Sequence, residues 1–263
     1  MEENKKFKLV SSKKTRYLLP NILTLAGVCL GISSIKFSID GNFSLAVTLI
    51  LLAAILDALD GRIARLIKGT SEFGKELDSL TDFVSFGIAP VFILYFWELQ
   101  NYGKLGWAIS LIYSVCCVLR LARFNLTKID ETESWKNNFF EGIPSPAGGL
   151  LILMPLIYEL TDINLGLEIK KITPFLTVVI AILLVSKIPT LSLKKISISP
   201  KTTVFLLLGI GIVFIALLFY TFKTLLIFGI GYLISIPVSL MIYNIQSKKN
   251  INKTTEENHE DIL

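Results

Sequence analysis

Blocks of about 20 apolar residues recur along this chain, and no other feature limits its fold as strongly. Twenty helical residues cover about 30 Å, the thickness of the hydrocarbon layer of a bilayer. Eight blocks can be drawn, at roughly 18–38, 43–67, 75–97, 105–125, 145–161, 172–188, 203–222 and 224–245. The expected fold is all-α: a polytopic membrane bundle of about eight transmembrane helices. Composition agrees. Hydrophobic residues make up 52% of the 263 and charged residues only 18%, against about 25% charge in a soluble domain. That excludes a disordered or collagen-like chain, and it leaves more apolar surface than one globular core can hold.

The positive charges have a pattern. Residues 1–16 carry Lys5, Lys6, Lys8, Lys13, Lys14 and Arg16, and 187–201 carry Lys187, Lys194, Lys195 and Lys201. Basic residues also gather around 62–75, at 120–136 and after Ser247. Counted along the blocks, all these segments fall on one side of the membrane, with Lys170 and Lys171 as the main exceptions. The excess of Lys and Arg on cytoplasmic loops places both termini in the cytoplasm of a bacterial-type inner membrane, facing anionic lipid. Nucleic acid is not an expected partner of so apolar a chain. Within the basic cytoplasmic segment 1–16, residues 4–16 are read as a short interfacial helix or a disordered arm, and the polar tail 247–263 as disordered. Cys29, Cys116 and Cys117 sit inside apolar blocks without zinc-ligand spacing and read as packing residues.

Four carboxylates interrupt this pattern. Asp57 and Asp60 lie in the second block, Asp78 and Asp82 in the third. An ionised carboxylate at the middle of a bilayer costs roughly 2.5–3.5 kcal/mol even on insertion scales, so intramembrane acids point to function. Asp57, Asp60, Gly61, Ala64 and Arg65 share one helical face, and so do Gly74, Asp78 and Asp82. The link between the two blocks is short, so the helices are antiparallel neighbours. Asp60 and Asp82 each lie about 12 Å from that link at 1.5 Å per residue. The four acids can converge into one cluster open to the cytoplasm. A set of hard oxygen ligands selects Mg²⁺, Mn²⁺ or Ca²⁺. Two divalent ions would balance the charge, an arrangement suited to phosphoryl transfer. Gly61 and Ala64 leave room for a flat nucleotide, and Arg65 could reach a phosphate.

The pattern Asp57-x-x-Asp60-Gly61-x-x-Ala64-Arg65, eight residues, Gly74-x-x-x-Asp78-x-x-x-Asp82 resembles the signature of the CDP-alcohol phosphotransferases. The resemblance implies transfer from a CDP-activated alcohol to an acceptor alcohol with release of CMP. It also implies two ions, Mg²⁺ or Mn²⁺, on Asp57, Asp60, Asp78 and Asp82, with Asp82 as the base that deprotonates the acceptor. A nucleotide pocket on Gly61, Ala64, Arg65 and Gly74 follows, within a six-helix core (17–188) that pairs as a homodimer. The last two blocks (189–246) would be additions.

Further runs narrow the choice. Pro20-Asn21-x-x-Thr24, the flanks of the Asp signature, "LRLARFN" at 119–125 and "FEGIPSPAGG" at 140–149 resemble the bacterial membrane-embedded phosphatidylserine synthases, a branch of that family. The substrates implied are CDP-diacylglycerol and L-serine. Asn21 and Thr24 could reach the nucleotide, although Asn21 could equally cap a helix. Arg120, Arg123 and Ser145 are candidates for binding the acceptor or a phosphate. For the two arginines, ordinary flanking charge is an equal reading. His259 is the single histidine, so a mechanism needing two catalytic histidines is excluded and a single displacement expected. Glycerol 3-phosphate, inositol or choline as acceptor remains open, with Lys75 as a further basic candidate. A cation-coupled transporter would need matched broken helices, and no such repeat is present.

Overall fold

A computed structural model describes residues 13–67, 71–126, 139–163, 166, 168–191 and 200–260. Helix occupies every apolar block. The elements are α1 (Lys13–Ile39), α2 (Phe43–Leu66), α3 (Glu72–Asp82), a π-helical turn (Phe83–Ile88), α4 (Ala89–Trp97) and α5 (Lys104–Leu126), then β1 (Phe139–Glu141), α6 (Ser145–Ile152), α7 (Met154–Glu159), α8 (Ile169–Val185), β2 (Pro189–Leu191), α9 (Pro200–Phe219) and α10 (Thr221–Glu260). The protein is an all-α polytopic membrane bundle. Five helical stretches are long and apolar enough to cross a bilayer: Leu18–Ile39, Phe43–Leu66, Glu72–Trp97, Lys104–Leu126 and Thr221–Ile245. The other blocks form shorter apolar helix. At 145–161 the run breaks at Leu153, where Pro155 removes a backbone donor, so α6 and α7 are separate pieces.

Local chemistry sets the ends of the helices that carry the acids. Asn42 caps α2 by accepting from the Leu45 N–H at 3.1 Å, and Ser71 caps α3 by accepting from the Gly74 N–H at 3.0 Å. The antiparallel neighbours α1 and α2 pack along their length, with Ala46, Val47, Ile50 and Ala53 of α2 buried. Large apolar side chains on the outer faces, such as Leu111, Val115, Ile210 and Phe214, are exposed, as a lipid-facing surface requires.

The π turn after Asp82 is held from three sides. A Cβ on Gly31 of α1 would stand 2.9 Å from Ser85 Cα, and one on Gly149 of α6 would stand 3.2 Å from Phe86 Cα. Only glycine allows such backbone approach. The loosened carbonyls of the turn are satisfied from α5: the Tyr113 hydroxyl donates to Phe86 O at 2.9 Å and Ser114 Oγ lies 3.2 Å from Gly87 O. Insertions of this kind concentrate at functional sites.

Three readings of the sequence change. Asn21 lies eight residues inside α1, so it is not a helix cap. The stretch after residue 246, expected to be disordered, continues α10 to Glu260; once nucleated, a helix propagates through Gln, Lys and Glu at little cost. Lys170 is not a free charge on the wrong side: it pairs with Glu159 at 3.0 Å and lies 5.6 Å from the Trp97 ring centroid. Lys171 pairs with Glu168. Of the expected basic N-terminal segment, residues 1–12 lie outside the described residues, as do 127–138 of the polar loop and 192–199 of the second basic stretch.

Candidate active site

Asp57 and Asp60 stand a turn apart on one face of α2, and Asp78 faces them from α3. One carboxylate oxygen from each of the three lies within 4.8 Å of the other two. Ligands at 2.0–2.6 Å from a shared cation can be at most about 5 Å apart, so the set fits a single hard divalent ion. No histidine or cysteine is among these three ligands, which disfavours zinc and copper. Asp60 is 4% exposed, and Thr24 Oγ1 of α1 donates to its Oδ2 at 2.6 Å. That contact fixes the carboxylate from outside the ion site, as outer partners of ligands do.

Asp82 does not join the set of three. It sits one turn further along α3, hydrogen-bonded to the Asp57 carboxyl. Two ionised carboxylates repel, so this contact needs a shared proton or a cation. On its other side Asp82 Oδ2 accepts from Ser145 Oγ at 3.0 Å. Ser145 opens α6, where Pro144 and Pro146 set the direction of the first turn. Three of the four acids thus offer oxygens to one point, and the fourth, Asp82, lies beside them between Asp57 and Ser145.

Arg120 of α5 continues this line. Its Nη1 donates to Ser145 Oγ at 3.2 Å and its Nε to Ile143 O at 2.5 Å, and the guanidinium lies 5.9 Å from the Phe124 ring centroid. Arg123 instead turns to the end of α8, donating to Val185 O at 2.6 Å and Ser186 O at 3.5 Å. A cation on the last carbonyls of a helix is a favourable cap. Lys75 is engaged by Glu72 at 2.9 Å on an exposed face.

Of the signature's glycine and arginine positions, Gly61 and Arg65 face open space. A Cβ on Gly61 would meet nothing within 4 Å. Arg65 is exposed, its Nε donating back to Gly61 O at 2.9 Å, and Ala64 is half-buried. Gly74 lies beside Asn21, whose Oδ1 is 3.4 Å from where a Cβ would stand. A cleft beside the acids is lined by Thr24, Gly27, Asp57, Asp60, Thr81 and Asp82. Two residues beyond Arg120 escaped the sequence reading: Tyr232 on α10, and Thr190 on β2, which bonds to Gly142 O at 2.8 Å. Neither lies in a motif.

Residues 17–198 match the family model described as CDP-alcohol phosphatidyltransferase. The chain belongs to the CDP-alcohol phosphatidyltransferase family. Among curated relatives, the CDP-diacylglycerol–serine O-phosphatidyltransferase of Mycobacterium tuberculosis (strain H37Rv) is 34% identical over 224 residues, 85% of this chain and 78% of that protein. That of Helicobacter pylori (strain 26695) is 35% identical over 199 residues, covering 76% and 82%. The archaetidylserine synthase of Methanothermobacter thermautotrophicus is 33% identical over 175 residues, covering 65% and 68%. The family match ends at residue 198, so α9 and α10 lie outside it.

Proposed function

We propose that this CDP-alcohol phosphatidyltransferase transfers the phosphatidyl group of CDP-diacylglycerol to L-serine, forming phosphatidylserine and CMP. The observation that carries the reading is the line Asp82–Ser145–Arg120 beside the acidic triad. It sets a carboxylate suited to accept a proton next to a cation suited to hold an anionic acceptor. The names of the relatives from Mycobacterium and Helicobacter support serine as that acceptor. So does the Pro144-Ser145-Pro146 run.

In the proposed reaction the serine hydroxyl oxygen forms a bond to the lipid-bearing β-phosphorus. Its proton passes to Asp82, and the bond from that phosphorus to the bridging oxygen breaks, so CMP leaves with the electron pair. Asp57, Asp60 and Asp78 would hold divalent metal, with Asp82 beside them, and two Mg²⁺ or Mn²⁺ ions are the proposed complement. Bound metal supplies Lewis-acid stabilisation of the charge that builds on phosphoryl oxygens. Thr24 orients Asp60. Gly61, Ala64, Arg65, Gly74 and Asn21 form the nucleotide pocket, where the missing Cβ at Gly61 leaves a flat approach to α2. Ser145 holds Asp82 in line with the acceptor. Arg120 binds an anionic group of the substrates, and Arg123 ties α5 to α8 beside it. The distribution of Lys and Arg supports a site open to the cytoplasm of a bacterial inner membrane, and the family resemblance supports a homodimer.

The test is purified protein with CDP-diacylglycerol and L-serine, glycerol 3-phosphate, inositol or choline, scoring CMP release. L-serine should support turnover and the others should not. Release with glycerol 3-phosphate but not with L-serine overturns the acceptor and leaves only the family.

A further inference from the structure

Arg120 is aimed from outside its own helix. An arginine side chain is long and flexible, so α5 alone does not fix where the guanidinium lies. It is held by the chain on either side of Pro144: Nε donates to Ile143 O at 2.5 Å, and Nη1 donates to Ser145 Oγ at 3.2 Å. The same serine donates to Asp82 Oδ2 at 3.0 Å. A shift of the Ile143 carbonyl would therefore move the guanidinium relative to Asp82.

That carbonyl is placed in turn from β2. The residue before it, Gly142, leaves β1 at φ +72°. Both backbone groups of Gly142 are bound to the chain around β2. Its N–H donates to Ile188 O at 2.8 Å, and its carbonyl accepts from Thr190 Oγ1 at 2.8 Å. The Gly142 carbonyl belongs to the planar peptide unit that leads into Ile143, so the Thr190 hydroxyl helps fix the plane of that unit. Thr190 is only 4% exposed. Valine would fill the same space in a buried strand without a polar atom to desolvate. What the hydroxyl adds is its bond to Gly142 O. Behind β2 stands α10, where the buried Ser239 donates from Oγ to Pro189 O at 2.7 Å.

We infer that Thr190 is a positioning residue for Arg120: its bond to Gly142 O sets the peptide through which Ile143 holds the guanidinium in the site. The inference rests on the proposed role of Arg120 in binding a substrate anion. Thr190 acts through the backbone and not on the substrate. A buried hydrogen bond that only supports the fold would change stability alone, whereas a positioning one changes the step that Arg120 serves.

The experiment is steady-state kinetics with CDP-diacylglycerol and L-serine, and a Tm, for the unmodified protein, Thr190→Val, Thr190→Ser, Arg120→Lys and the double variant Thr190→Val with Arg120→Lys. Lysine keeps the charge of Arg120 but loses its fork of donors, so Arg120→Lys should raise the KM of the substrate held there. Thr190→Val should raise that same KM about 10-fold, the lower end of what outer partners contribute, and leave the KM of the other substrate as it was. Thr190→Ser keeps the hydroxyl and should behave as the unmodified protein. In the double variant Thr190→Val should add nothing to Arg120→Lys, because residues that act through one another are not additive. Thr190→Ala, with no added bulk, repeats the test if the valine variant does not fold. A lowered Tm with both KM values unchanged, a Thr190→Val effect that multiplies with that of Arg120→Lys, or a Thr190→Ser variant as impaired as Thr190→Val overturns the inference. Arg120→Lys without any kinetic effect overturns the proposed role of Arg120 and the inference with it. Absence of L-serine turnover in the unmodified protein overturns the proposed acceptor instead, and the same comparison is then made with the acceptor that releases CMP.

Discussion

The two sides of the site are built in opposite ways. The acidic side comes from α1 to α3, within residues 21–82, at spacings of three and four along two consecutive helices. The side proposed for the acceptor gathers Arg120 from α5 and Ile143 and Ser145 after the loop, with Thr190 of β2 bonded to Gly142 beside them. One is local and repeats the family signature. The other is assembled from Arg120 to Thr190, from elements that are not consecutive in the chain. On the proposed reading, the metal chemistry sits in a local frame, whereas the choice of acceptor depends on how distant elements dock. Asp82 stands at the junction, bonded to Asp57 on one side and Ser145 on the other.

The sharpest way to break this division is on the acidic side. Asp60→Asn and Asp78→Asn should each remove nearly all turnover with any acceptor, and excess EDTA should do the same to the unmodified protein, restored by Mg²⁺ or Mn²⁺. Full activity in EDTA would remove metal from the account. A smaller effect is expected across the junction. Ser145→Ala deletes the donor to Asp82 without touching the triad, and outer partners of reacting groups typically contribute about 10–100-fold. Turnover should fall by that amount while the concentration of Mg²⁺ giving half-maximal activity stays fixed. A shift in that metal dependence would mean the two sides are one unit.

The legibility of the sequence follows the same division. The helix pair and its acids could be read because their spacing matches the α-helical period and the link between them is short. Burial of four charges in apolar blocks left few structural explanations. The exit of Asp82 from the triad was not legible, since it depends on Ser145, 63 residues away. The two-stranded ribbon was hidden for a similar reason: its strands are three residues each, and Glu141 pairs with Pro189 across the intervening helices. The chain leaves β1 through Gly142, at φ +72°, where a Cβ would stand 2.8 Å from Ser186 O. The glycine of "GIPSP", which the sequence offered as part of a substrate motif, therefore also ends a strand. Tyr232 reads as one more aromatic in an apolar run, and only the docking of α10 gives it neighbours. The expected capping role of Asn21 failed because Pro20 does not begin α1, which already runs from Lys13. Lys170 and Lys171 resisted the charge rule because their partners, Glu159 and Glu168, neutralise them locally.

The central claim is that Asp82 acts on the acceptor while the triad holds the nucleotide through metal. Calorimetric titration of CDP with Mg²⁺ present, on Asp82→Asn and Asp60→Asn side by side, tests it most directly. A general base contributes about 10²–10⁴-fold to rate and little to binding. Asp82→Asn should therefore lose turnover on that scale yet bind CDP as the unmodified protein does, and Asp60→Asn should lose CDP affinity. If Asp82→Asn loses affinity as severely as Asp60→Asn, Asp82 is chiefly a metal ligand, and the base lies elsewhere.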